Sequence, residues 1–274
     1  MKNQTKPLRA LIASAVGVAA ASLSFGAHAD SINGIIDIWN VNVSTVFDTA
    51  SVCNNSGDCT AANGITKSPL SLSWGSGGIS GLDIGGSSAG NVNTNGASVP
   101  NVSITHRNQP ITGATLGTVD IVSTLTLTPV SPLGPGLPAV DFIFKVHFAE
   151  TPNNPAGGTC ADGGANGVGV NINGCADIYV TDVNSLNFPF FYDLDGAGTT
   201  YAPKQYFISF FESTSGLNPL PVAACSAVGV AAPCLGFRTP ESTNTTVRFA
   251  SLITTAPVSI PEPATSALLA ACRT

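Results

Sequence analysis

Apolar and polar residues alternate with a period of two along much of the chain from Ser31 to Ala256. The clearest run is Val140 to Phe148. There Phe142, Phe144, Val146 and Phe148 fall on one face, and Asp141, Ile143, Lys145 and His147 on the other. This is the signature of a strand with one buried face. Gly34 to Val43, Leu70 to Trp74, Val102 to Ile104, Val119 to Leu127, Asp177 to Val180, Tyr206 to Phe211 and Thr246 to Ile253 read as further strands. Clusters of Gly, Asn and Pro separate them, notably 75–96, 129–138 and 152–174, and read as connections. No segment of the body sustains a helical period. Many short strands with turn-rich connections predict an all-β protein: an antiparallel β-sandwich, jelly-roll-like, forming a single domain with long Gly/Asn-rich loops.

Composition narrows the class of partner. Charged residues are only 9% of the 274, against about a quarter in a typical globular protein, while hydrophobic residues reach 43%. A chain this apolar has enough material for a core, so low charge does not here predict disorder. Three of the ten basic residues, Lys2, Lys6 and Arg9, precede an apolar stretch from Ala10 to Phe25. Ala27-His28-Ala29 follows as a small-x-small cleavage site. Residues 1–29 therefore read as a secretory signal peptide rather than a membrane anchor, the stretch being short for a span. Its removal takes away those three basic residues and no acidic one, moving the net charge from −6 to −9. Such a body does not neutralise phosphates, and it excludes nucleic acid as a partner. It also offers no polybasic patch to a membrane.

The seven cysteines suit an exported chain. Cys53 with Cys59, Cys160 with Cys175, and Cys225 with Cys234 form three close pairs, and Cys272 stands alone in the tail. In an oxidising compartment, local disulfides are the natural reading, each contributing about 2–3 kcal/mol by closing a short loop. Zinc is the rival, but the spacings are not C-x-x-C and no His lies near a pair.

Candidate chemistry is sparse. His106 and Asn108 stand in Thr105-His106-Arg107-Asn108-Gln109-Pro110. One reading is a strand end whose polar side chains tie down a turn. The other is a metal or ligand site, with His147 and Asp141 or Glu150 as the second source of ligands. Asp193 and Asp195 open like a calcium loop, but Lys204 occupies the position where an EF-hand needs Glu. An acidic hairpin turn is the simpler reading; a looser calcium site with Asp182 or Asn184 is the alternative. Trp39, Trp74, Tyr192 and Tyr201 are candidate sugar contacts, since aromatic rings offer apolar faces with polar edges; core positions are the rival. No H-E-x-x-H run is present, and the one G-x-S-x-G match, Gly86 to Gly90, lies in a Gly/Asn-rich stretch with no helical period after it, so no catalytic residue is assigned and the chain reads as a non-enzyme. The expectation is no cofactor, with structural calcium as the exception, and a chelator should leave the thermal midpoint nearly unchanged.

Several segments together carry a resemblance: Gly34-Ile-Ile-Asp-Ile-Trp39-Asn40, Ser73-Trp74-Gly75, Ser80-Gly81-Leu82, Thr105-His106-Arg107-Asn108, Pro110-Ile111 and, near the end, Ile260-Pro261-Glu262-Pro263-Ala264. The chain resembles the THxN family of PEP-CTERM proteins across nearly its whole mature length. Thr105, His106, Asn108 and Pro110 match the family motif, and Pro261, Glu262 and Pro263 match its sorting signal. The resemblance implies a Gram-negative, exopolysaccharide-producing host and handling by export machinery and an exosortase-like enzyme. Membrane contact is then transient, and the protein ends at the cell surface or outside the cell. Residues 30–256 correspond to the THxN-type domain and 257–274 to the sorting tail. The tail departs from the family pattern, since Ala264 to Cys272 is shorter than a membrane span and only Arg273 is basic. Either it is truncated or the sequence shifts frame near its end. The implied function is a structural or adhesive surface or biofilm-matrix protein associated with exopolysaccharide. The alternatives are a carbohydrate-binding module and, behind it, a secreted hydrolase with converging carboxylates in an open cleft.

Overall fold

The computed structural model describes residues 33–258, apart from 87, 182–186 and 197–199. Residues 1–29, read as a signal peptide, and Pro261, Glu262, Pro263 and Cys272 lie outside the described residues. The strands in chain order are β1 (Ile38–Phe47), β2 (Cys53–Asn54), β3 (Thr66–Lys67), β4 (Ser71–Trp74), β5 (Ser80–Gly85), β6 (Ser88–Asn93), β7 (Val99–Arg107) and β8 (Leu116–Ser131). They continue with β9 (Val140–Ala149), β10 (Asp177–Thr181), β11 (Phe188–Tyr192), β12 (Lys204–Glu212), β13 (Asn218–Pro219), β14 (Leu235–Thr239) and β15 (Asn244–Thr254). The helical pieces are short: a 3₁₀ turn at Gly169–Asn171, and α1 at Val222–Ala227. No helix among the described residues is long and apolar enough to cross a membrane.

Two antiparallel sheets pack face to face as an all-β sandwich. The first runs β13-β14-β10-β9-β8-β1-β6, with β2 paired to β8. The second runs β11-β12-β15-β7-β5-β4-β3. Alternation decides which side chains enter the core. In β1, Trp39, Val41, Val43, Thr45 and Phe47 point inward, while Asn40 and its alternates stay at least partly exposed. The apolar interior gathers into two main clusters. One is built around Trp74, Leu82, Ile104, Val119, Phe148 and Tyr179, the other around Trp39, Val41, Leu127, Tyr206 and Ile253. β10 is buried on both faces, because α1 and the Cys225–Cys234 disulfide cover Ile178 and Val180 on its outer side.

Each strand run read from the sequence overlaps a strand, but Gly34 to Asp37 precede β1, Leu70 precedes β4, and β8 runs on to Ser131 into the connection expected at 129–138. The connection expected at 75–96 is the larger correction. It contains β5 and β6. Its glycines masked the strand because they allow close approach: a Cβ on Gly81 would sit 2.5 Å from the Leu72 carbonyl oxygen. The three expected disulfides, Cys53–Cys59, Cys160–Cys175 and Cys225–Cys234, are all present. They fit maturation in an oxidising environment.

Candidate functional site

β7 carries its inward alternation beyond the apolar residues. Val102 and Ile104 point into the core, and so do His106 and Asn108 behind them, both wholly buried. Thr105 faces outward and shares a 2.8 Å hydrogen bond with the hydroxyl of Thr246 on β15. Arg107, also outward, pairs with Asp83 on β5 at 2.6 Å. Pro110 is exposed where the chain leaves the sheet. The tie-down reading of this motif is partly realised, but across the sandwich rather than within a local turn. Asn108 donates through Nδ2 to the Thr239 carbonyl at 2.9 Å, joining β7 to the end of β14 in the opposite sheet.

That link brings His106 and Asn108 to three carboxylates. The register pairs Ile178 with Ala149 and Asp177 with Thr239. Glu150 and Asp177 therefore leave adjacent strands side by side, and Glu241 follows two residues beyond Thr239. One oxygen from each of Glu150, Asp177 and Glu241 lies within 4.8 Å of the others. Asp177 and Glu241 are each only 1% exposed, and Glu150 is half-buried. Two carboxylates are held by single donors. Trp74 Nε1 donates to Glu150 Oε2 at 3.0 Å, and the Thr151 amide to Asp177 Oδ1 at 2.9 Å. His106 Nε2 stands 3.7 Å from Asp177 Oδ2, its ring packed between Trp74 and Phe148.

Segments that carried the family resemblance meet here. Trp74 and His106 are stacked, and Ser80 Oγ and the Gln109 backbone bond each other at 3.1 Å. Gly75, at a φ of +93°, leaves no room for a Cβ beside Ile111.

The electrostatics follow from burial. Loss of water, reinforced by the nearby Arg107 charge, pushes the His106 imidazole down to about 3, so the ring is neutral. Loss of water and then the Glu150 charge push Glu241 up to about 7. The same two causes raise Asp177 well above the ordinary carboxylate range, and burial raises Glu150. Each raised carboxyl contributes stability that is complete below its ordinary value near 4.5 for Glu and is lost as pH rises through the folded-state value. His106 runs the other way. Its contribution is complete above 6.5 and is lost as pH falls toward 3. The two trends oppose each other at mildly acidic pH, but above about pH 6.5 only the carboxyl trend is left. In buffer stripped of divalent cations, the thermal midpoint should fall between pH 6.5 and pH 8. A midpoint that rises over this interval contradicts the placement of these carboxyls.

The other candidates lie elsewhere. Trp39, Trp74 and Tyr192 are core residues, which corrects their reading as sugar contacts: a ring with no exposed face cannot stack on a pyranose. Tyr201 is half-buried, with its ring against Gly34. Asp195 accepts the Thr200 amide at 2.6 Å and closes an acidic turn, with Asp193 nearby. Asp182 and Asn184 are outside the described residues. Of the second-source ligands, Glu150 joins the cluster. His147 lies on the outer face of β9 with Asp141, because the strand alternates. No motif in the sequence marks Asp177 or Glu241. The available signal was the inward stripe of β7, which, continued through His106 and Asn108, requires buried polar partners for both.

Chemically, the cluster is a set of hard oxygen donors beside one neutral imidazole, of the kind that suits a divalent cation. Burial of Asp177 and Glu241 bars an extended substrate from them. No protein-family model and no curated protein matches the chain.

Proposed function

We propose that the chain is an exported, non-catalytic protein of the cell surface or biofilm matrix, structural or adhesive in type and associated with exopolysaccharide. It would be delivered there through an exosortase-like sorting system. The observation that carries this reading is the trio of short-range disulfides stitched into a charge-poor β-sandwich. Crosslinks of this kind persist outside the cytoplasm, where a secreted scaffold must survive without chaperones. The signal-peptide pattern of residues 1–29 and the Pro261-Glu262-Pro263 signal support the route. The burial of Asp177 and Glu241, in the one trio of carboxylates drawn together among the described residues, supports a non-catalytic role.

The test is the intact mass and location of the protein recovered from its producing cells. The expected product lacks residues 1–29, weighs six hydrogens less than its fully reduced form, and is found on the surface or in the medium. Recovery from the cytoplasm with the leader uncut and the thiols reduced overturns the proposal.

A further inference from the structure

We propose that Glu150, Asp177 and Glu241 bind one structural calcium ion, with Asn108 Oδ1 completing the protein ligands and His106 bordering the site as a positioning residue. The size of the cluster fits. Oxygens on opposite sides of a calcium ion, each about 2.3–2.6 Å from it, are about 4.6–5.2 Å apart. The three carboxylates reach each other within 4.8 Å.

A second, independent observation points into the same space. His106 Nδ1 and Nε2, Asn108 Oδ1, Asp177 Oδ2, Thr239 Oγ1 and both Glu241 carboxylate oxygens are buried without a hydrogen-bond partner. Native interiors leave only about a few such groups per hundred residues unsatisfied, and among the described residues seven of the twelve gather at this end of the sandwich. The orientation of the donors is also informative. Glu150 and Asp177 each give one oxygen to a fixed protein donor and leave the other for the cluster. Glu241 meets the Asn108 side chain and the Ser242 backbone, but neither makes a well-formed hydrogen bond to it, which leaves both oxygens available to an ion in the bidentate manner calcium favours. Asn108 donates through Nδ2 to Thr239 and presents the same amide group to Glu241, while its buried Oδ1 has no partner and is the atom left to add a neutral ligand.

Among the described residues no Lys or Arg pairs with the trio: Arg107 is committed to Asp83 and Arg238 to Asp162. Bound water would satisfy lone pairs but would leave the carboxyls to relieve their repulsion by holding protons. A divalent cation would satisfy the lone pairs and balance the charges together.

The donor set selects the ion. It is mostly oxygen, with the six cysteines of the described chain tied up in disulfides, so soft-metal chemistry is disfavoured. Magnesium keeps several waters and demands a near-ideal octahedron, which a closed cluster on three strand ends does not supply. On this assignment, the Thr105-His106-Arg107-Asn108 run is a metal-site element: it carries Asn108 across the sandwich to the acidic ends of β9, β10 and β14.

The experiment uses the purified chain with its disulfides intact, treated with chelator and then titrated with calcium by calorimetry and thermal melting. One calcium per chain should bind, and saturating calcium should raise the midpoint by about 5–10 °C. Glu241→Gln should abolish that rise. At pH 8 without calcium, it should melt no lower than the parent chain, which shows that the variant folds. Asp193→Asn, in the acidic turn, should keep the full response. Absence of bound calcium and of any midpoint shift overturns the proposal, and so does a response that survives Glu241→Gln. A larger shift with manganese, zinc or magnesium than with calcium overturns the choice of ion.

Discussion

Trp39→Ala should lower the unfolding free energy by about 3–5 kcal/mol, the largest single-residue effect expected in the molecule. Trp39 is 0% exposed. Its ring meets Phe190, Tyr192 and Tyr206 edge-on, with centroids 5.4, 5.2 and 5.2 Å away. Those partners come from β11 and β12 in the opposite sheet, so the indole is the bridge between layers at this end of the sandwich. Truncation removes its own burial and strips three aromatic contacts, each worth about 0.5–1.5 kcal/mol beyond area. The surrounding rings sit on hydrogen-bonded strands and will close the gap only in part. For a domain of this size the midpoint should drop by roughly 8–16 °C. A loss under about 1 kcal/mol in denaturant titration means that Trp39 does not hold the layers together.

Replacing Cys160 and Cys175 by alanine should have the next largest effect, about 3 kcal/mol. The bond closes a loop with a sequence separation of 15, against 6 for Cys53–Cys59, and loop entropy alone favours it by about 0.8 kcal/mol. Its surroundings add to the difference. Cys160 and Cys175 are both buried, whereas Cys59 is exposed. The loop between them is also the approach to the acidic cluster. Asp162 accepts from Arg238 and from Asn171 at 2.5 and 3.1 Å, and Asn171 Oδ1 accepts the Ala176 amide at 2.8 Å, one residue before Asp177. Opening this loop should therefore loosen Asp177, while the matching Cys53/Cys59 variant should leave it in place. The check is a pair of denaturant midpoints, one per variant. Equal losses would show that only chain entropy matters and that the loop does not support the site.

These effects rest on different kinds of information. Trp39 sits in the alternating run Trp39-Asn40-Val41-Asn42-Val43, whose period of two favours the core position over the sugar contact that the residue type also suggests. The disulfide partners follow from proximity in sequence and an oxidising route. Both were legible because the determining neighbours lie close along the chain. β5 was less so: Gly81 and Gly85 look like loop residues until Leu72, Ser103 and Arg107 are seen pressed against them.

The acidic cluster was scarcely legible. His106, Asn108 and Glu150 stood out as residue types, but His147 and Asp141 seemed equal candidates, and Asp177 and Glu241 carried no motif. The expectation that a chelator changes little follows from that reading, and the calcium proposal replaces it with the opposite expected result.

What the sequence determined by itself was the strand period, the apolar faces and the short-range crosslinks, since each depends on neighbours within a few residues. Only the tertiary structure decided which carboxylates meet, because Glu150, Asp177, Glu241 and Asn108 come from four separate stretches of chain. Their proximity is set by strand order and register in two sheets, and a pattern with a period of two says which face a residue takes but not which strand lies beside it.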